Sequence, residues 1–232
     1  MSQTSQERNE SIKTELSTVK RGSNRALYDT ETVYKIIDET LIGHIAQSKA
    51  GQVFVTPTCH WRDGEYLYWH AHSKARNVRD SVKEEKKICF NICALDGLVL
   101  ARSAFHHSVN YRSISLFGVP ELIENDDEKV RQFKNMLDKV SPNRWDSLRP
   151  IKDIEIKATG LARIKIEEAS VKMRAEGVND DEDDLDWPVW AGVLPLERSW
   201  GKAEQDSGAN PKIDMKEHQS SNFVEPTPPS AF

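Results

Sequence analysis

Residues 66–80, YLYWHAHSKARNVRD, bring Ser73, Lys74, Arg76, Asn77 and Arg79 together where a strand-like run gives way to a helix-like one. A helix start offers unsatisfied N–H groups and the positive end of a dipole, so a phosphate would fit there. Lys74 or Arg76 would add charge-assisted hydrogen bonds. On residue types alone a solvated basic face is an equal reading. His70 sits at the end of the strand run, where a neutral imidazole can relay a proton, or simply pack in a core. His70 and His72 share a strand face, but no third Cys, His or carboxylate has ligand spacing, so no metal is expected. His106 and His107 fall in a loop before the longest strand signal, and the residues alone do not decide their role.

The elements that must position these groups follow from periodicity. Asp29 or Thr30 can cap a helix whose apolar residues Val33, Ile36, Ile37 and Leu41 fall on one face. LIGHIAQ and QVFVTPTCHW, separated by SKAG, read as a hairpin, and Asp63-Gly64 turns the chain into EYLYWHAH. KKICFNICAL has the content of a buried strand, and HSVNYRSISLFGVPELI reads as one long bent strand. The acid-rich NDDEKV opens a helix toward Val140, and ARIKIEEA alternates as a last strand. Six or so short-spaced strands with few helices predict a mainly β chain forming a small antiparallel barrel, not a doubly wound parallel sheet.

Residues 1–24 and 197–232 are too poor in apolar side chains to offset their ordering entropy, and the second stretch ends in the proline-bearing NFVEPTPPSAF. They are expected to be a mobile arm and an extended tail around a single domain at 25–196, in keeping with a length of 232 residues. A net charge of −5 supplies no field for a nucleic-acid backbone. No apolar run reaches the roughly 20 residues of a bilayer span, and the amino-terminal residues are not those of a secretion signal. A cytoplasmic protein with neither nucleic-acid nor membrane partners is expected. Cys59, Cys89 and Cys93 are an odd set; on one strand Cys89 and Cys93 would stand about 13 Å apart, too far for a disulfide. They are expected to be small core residues. The acidic NDDEDDLD reads as a solvated loop.

The succession VFVTPTCHWRDGEYLYWHAHSKARN, SVNYRSISLFG and PVWAGVLPL resembles the pyridoxamine-phosphate-oxidase-like split-barrel flavoproteins, in particular the branch of nitroimidazole-resistance-type reductases. The resemblance implies a six-stranded antiparallel split barrel of the FMN-binding type, dimeric, with FMN in grooves at the subunit interface. Carried onto this chain, it places Thr56, Pro57 and Thr58 along the flavin ring and Tyr68 and His70 below it. Ser73, Lys74 and Asn77 would hold the phosphate, with Arg112 and Ser113 on a neighbouring strand. His70 would be the catalytic group, and Trp190, with Trp187, would close over the flavin. WPVWAGVLPLERSW stands where pyridoxamine phosphate oxidases proper carry an Arg-rich substrate motif, which points away from the vitamin reaction. The implied activity is FMN-dependent reduction of a small conjugated or nitro compound by NAD(P)H. The alternative is a non-catalytic flavin- or haem-binding protein, with His70, His72, His106 and His107 available to haem.

Overall fold

The computed structural model describes residues 11–75, 82, 85–201, 204, 206 and 208. Its ten strands are β1 (Ala26–Leu27), β2 (Ile42–Lys49), β3 (Gln52–Asp63), β4 (Tyr66–His72), β5 (Ile88–Leu100), β6 (Ser108–Gly118), β7 (Glu121–Ile123), β8 (Thr159–Lys165), β9 (Ala169–Arg174) and β10 (Gly192–Pro195). The α-helices whose bounds lie within the described residues are α1 (Thr30–Glu39), α2 (Asp126–Val140) and α3 (Asp153–Ala158). All pairings are antiparallel, in the order β1-β9-β6-β5-β2-β3-β4-β8-β7, with β10 joining β5. The sheet curls into a split barrel without closing its hydrogen-bonded path. Among the described residues no helix is long and apolar enough to cross a membrane.

Local chemistry explains the elements. Asp29 begins α1 by accepting the Thr32 N–H at 2.8 Å, and Asn125 does the same for α2 from Glu128 at 2.8 Å. The β2–β3 hairpin turns on Ala50 and Gly51, at φ 49° and 77°; two left-handed residues match the twist of the flanking strands. Strand alternation sends Ile45, Leu67, Trp69, Phe90, Ile92, Ile114, Leu116, Ile164 and Val171 into one core, which Val33, Ile36 and Ile37 of α1 cover. A second apolar cluster joins Trp61, Tyr68, Ile123 and Leu161 under α2. Gly43 has no room for a side chain, because a Cβ there would stand 2.2 Å from the Phe90 ring.

The six expected strands are β2 to β6 and β8. The run read as a single strand through HSVNYRSISLFGVPELI is two, β6 and β7, broken at Val119-Pro120, where proline offers no N–H to a ladder. β9 escaped notice because its buried residues, Ala169, Ser170 and Val171, are consecutive rather than alternating.

Residues 11–24 correct the expectation of a mobile arm. Ser11 bridges to Asp29, Ile12 accepts the Ala169 N–H at 3.0 Å and donates its own to Tyr28 at 3.1 Å, and Thr14 bonds Glu168. Ile12 is only 7% exposed and belongs to the barrel core. One well-placed isoleucine, invisible to a compositional argument, anchors the segment. Ile12→Ala is expected to lower unfolding free energy by about 2–4 kcal/mol, read from urea denaturation; an unanchored arm would leave it unchanged.

Candidate functional site

The long strand β3 has two neighbours of different extent. It pairs with β2 through residues 52–59 but with β4 only through 60–63. Its β4-side edge over 52–59 therefore has no strand partner among the described residues, and β4 runs on alone through His70–His72 on that side. The two strands part at the His60–Trp69 pair like the arms of a fork. Thr56, Pro57 and Thr58 lie on one arm. His70 ends the other, followed by Ser73 and Lys74. Backbone N–H and C=O groups are obligatory hydrogen-bonding groups, so those on this edge at Thr56–Thr58 call for a partner outside the ladder.

At the second arm the backbone differs from the sequence expectation. The Ser73 N–H donates to the Ala158 carbonyl at 2.9 Å, the Lys74 N–H to His72 Nδ1 at 3.1 Å, and the Ala75 N–H to the His72 carbonyl at 2.7 Å. These three amides are consequently not bare, and an anion here would meet the Ser73 hydroxyl and the exposed Lys74 ammonium instead. Asn77, with Arg76 and Arg79, lies outside the described residues, as does the expected helix running through it.

His70 is half-buried, its ring 6.0 Å from that of Trp61. Burial pushes its pKa below the usual imidazole range, so the ring is neutral at pH 7. Its Nδ1 is enclosed, with no hydrogen-bond partner among the described residues. Tyr68, two residues earlier, does not reach the fork. It is buried, stacked on Trp61 at 6.0 Å, and burial raises its pKa while the neighbouring Arg163 opposes the rise.

Arg112 and Ser113 sit on β6, which β5 and β2 separate from β3 in the strand order. The buried Arg112 guanidinium grips Asp96 with two hydrogen bonds, at 2.9 and 2.8 Å, and reaches Glu39 at the end of α1. Asp96 is the extra residue of a β-bulge between Leu95 and Gly97, and the bulge brings its carboxylate to Arg112. The Ser113 hydroxyl donates to the Lys172 carbonyl at 3.0 Å. Both residues therefore hold the fold of their own protomer. Trp190 is exposed beside β10, its ring 2.7 Å from where a Gly192 Cβ would stand.

Among the described residues, His70 and His72 belong to no metal-sized cluster; the group of that kind is His106, Asp181 and Asp184, with Asp181 exposed. The cysteines are free thiols, Cys59 and Cys93 exposed and Cys89 half-buried, so the expectation of three core residues is corrected. Alternation puts Cys59 and Cys93 on the outward rows of β3 and β5.

His60 went unremarked in the sequence, although it is two residues from Thr58 on the inward row of β3. Its ring is buried edge-on against Phe90 at 5.5 Å, with Nε2 3.2 Å from the Ile37 carbonyl and from Thr40 Oγ1. Burial, aided by the Lys139 charge, holds its pKa down at about 3. Lys139 is itself pulled down to about 8 by burial while its ammonium donates to the Ile37 and His60 carbonyls, at 2.8 and 3.1 Å.

Fold and fork together define a split-barrel protein of antiparallel strands in which β3 and β4 part beyond the His60–Trp69 pair. The model of the pyridoxamine 5'-phosphate oxidase family matches residues 29–173, and the chain belongs to that family. A flavocytochrome from Azotobacter vinelandii is 39% identical, over 89% of this chain and 95% of its own, with a TM-score of 0.84. An FAD- and haem-binding protein from Mycobacterium smegmatis is 26% identical, over 87% and 98%, with a TM-score of 0.80. A Bacteroides thetaiotaomicron protein assigned to 5-nitroimidazole antibiotic resistance, 15% identical over 63% and 85% with a TM-score of 0.53, shares the fold. No curated protein matches the chain.

Two outcomes are expected from this geometry. Arg112→Ala leaves Asp96 and Glu39 without their cation and should destabilise the fold by about 3–5 kcal/mol in urea denaturation. The folded protein keeps His60 neutral down to about pH 3, whereas an unfolded chain takes up that proton near 6.5. The unfolded state then binds more protons, and stability is lost as pH falls through that window, by as much as roughly 5 kcal/mol. Urea midpoints at pH 7 and 4 should show a larger drop for the native sequence than for His60→Phe.

Proposed function

We propose that the protein is a flavin-binding redox protein that works as a homodimer, holds the flavin at the fork between β3 and β4, and also takes haem. The observation that carries this reading is the fork itself, with an unpaired backbone edge at Thr56–Thr58 facing an arm that ends in His70, Ser73 and Lys74. The edge can meet the polar rim of the flavin ring, and the Ser73 hydroxyl and Lys74 ammonium can meet its phosphate. A bound flavin supplies the electron transfer, and these residues position it. Relatives named as a flavocytochrome and as an FAD- and haem-binding protein, each spanning nearly the whole chain, support both cofactors.

Dimerisation is argued from what one protomer leaves open. Ile42, Val53 and Val55 belong to the outward face of the β2–β3 hairpin, and Val53 and Val55 are 72% and 61% exposed. Apolar residues gathered this way on a sheet face mark an interface. A second copy would cover them and bring its own Trp190 segment toward the fork.

FMN is the smaller flavin that the Lys74 corner can hold, and the relative named for FAD makes the dinucleotide its rival. A narrower reading, reduction of a conjugated or nitro compound with NAD(P)H as donor, is favoured by the neutral, half-buried His70, a suitable proton donor-acceptor beside a flavin.

The purified protein is expected to show flavin absorption, and the mass of the released cofactor distinguishes FMN from FAD. Lys74→Ala should weaken flavin binding by about 1.5–3 kcal/mol, roughly ten- to a hundredfold. Absence of flavin bands together with no affinity for added FMN or FAD would overturn the proposal.

A further inference from the structure

We infer that His107 is the protein's axial ligand for haem iron, an assignment that rests on the haem half of the function proposed above. Iron takes a neutral imidazole through the lone pair of one ring nitrogen, and such ligands almost always donate the N–H of the other nitrogen to a fixed acceptor. His107 is built this way. Its Nδ1 lies 2.8 Å from the Ser103 carbonyl, and a carbonyl can only accept. The proton therefore sits on Nδ1, which leaves the Nε2 lone pair available on an exposed side chain.

The other histidines among the described residues lack that arrangement. His72 Nδ1 accepts the Lys74 N–H, which sends the proton of the neutral ring to Nε2, the wrong tautomer for ligation through that atom. His60 is sealed in the core with Nε2 turned to the Ile37 carbonyl. His70 has an enclosed Nδ1 with nothing to fix its proton. His106 Nδ1 meets the Ser103 hydroxyl, which can donate or accept, and its Nε2 lies 3.9 Å from Asp181. His44 has no ring hydrogen bond among the described residues to set its tautomer, and it stands on the outward hairpin face assigned above to the second copy.

The surroundings of His107 suit a flat apolar macrocycle. Phe105, two residues before it, is 89% exposed. Immediately after it β6 begins, and Val109 pairs with Leu98 of β5, which pairs in turn with Leu194 of β10. All three side chains of that row are exposed, an apolar strip across three strands at the end of the sheet where the ligand emerges.

The test is a hemin titration of the purified full-length protein followed at the Soret band, run on the native sequence, His107→Ala, His106→Ala and His72→Ala. The native protein should develop the Soret band of an imidazole-ligated haem. His107→Ala should bind hemin at least about tenfold more weakly, the lower bound of what even an outer partner of a metal ligand contributes. Its Soret maximum should move toward that of unligated hemin, while the other two variants keep the native spectrum. Added imidazole should restore the native band in His107→Gly. Circular dichroism checks that the variants fold, as a substitution at an exposed loop residue should allow. If the native protein takes up no hemin, the haem half of the proposed function falls and His107 with it, while the flavin half stands on its own spectrum. If the native protein binds hemin and His107→Ala matches it in affinity and Soret position, haem binding stands and this ligand assignment is overturned.

Discussion

A β-strand has two hydrogen-bonding edges, and everything distinctive about this barrel follows from the two edges of β3 being used over different lengths. One edge is satisfied by β2 from Gln52 to Cys59, the other by β4 only from His60 to Asp63. Among the described residues no strand pairs with the rest of that second edge. An all-antiparallel sheet is thereby left with an interior edge that behaves as a terminal one, in the middle of the strand order rather than at its ends. That edge gives the protein somewhere to bind along the backbone, and it also imposes a need for something to bind there.

Much of this was legible in the residues. Alternation, turn chemistry and caps located β2 to β6, β8, α1 and α2, because each depends on interactions within a few positions. The fork itself was not legible, since a strand's alternation says which side chains face inward but not where a neighbouring strand departs. The same limit explains Tyr68 and Arg112. Tyr68 has the same parity as His70 along β4, yet α2 covers the earlier residue and leaves the later one half open. Arg112 enters as a flavin contact only through the family resemblance, on a strand taken to neighbour the flavin. Its partners, Asp96 and Glu39, are distant in sequence and meet it only after β5 bulges and α1 folds across. Ser73 is a finer case. The residue types at the corner were sound indicators of polarity, but the Ser73 amide is closed by Ala158, eighty-five positions away, and those of Lys74 and Ala75 by His72.

The charged core cluster ties together parts that otherwise have little in common. Arg112 joins the end of α1, the bulge of β5 and the centre of β6. The bulge also lies where β5 exchanges β2 for β10 as a neighbour, and the Asp96 carbonyl receives the Leu196 N–H. The placement of the tryptophan-bearing segment after residue 186 is thus coupled to a buried ion pair. Lys139 plays a related part for α1, neutralising the negative end of that helix from α2.

The turn at Ala50 and Gly51 sets how the β2–β3 ribbon meets its neighbours. Because side chains alternate along a strand, a slip of a single position there would exchange Thr56 and Thr58 for Pro57 and Cys59, and Gly43 for a residue that Phe90 cannot accommodate. Two left-handed residues at a solvent-exposed tip therefore govern which chemical groups line the cleft some distance away. Sequence drift at that tip is constrained by geometry.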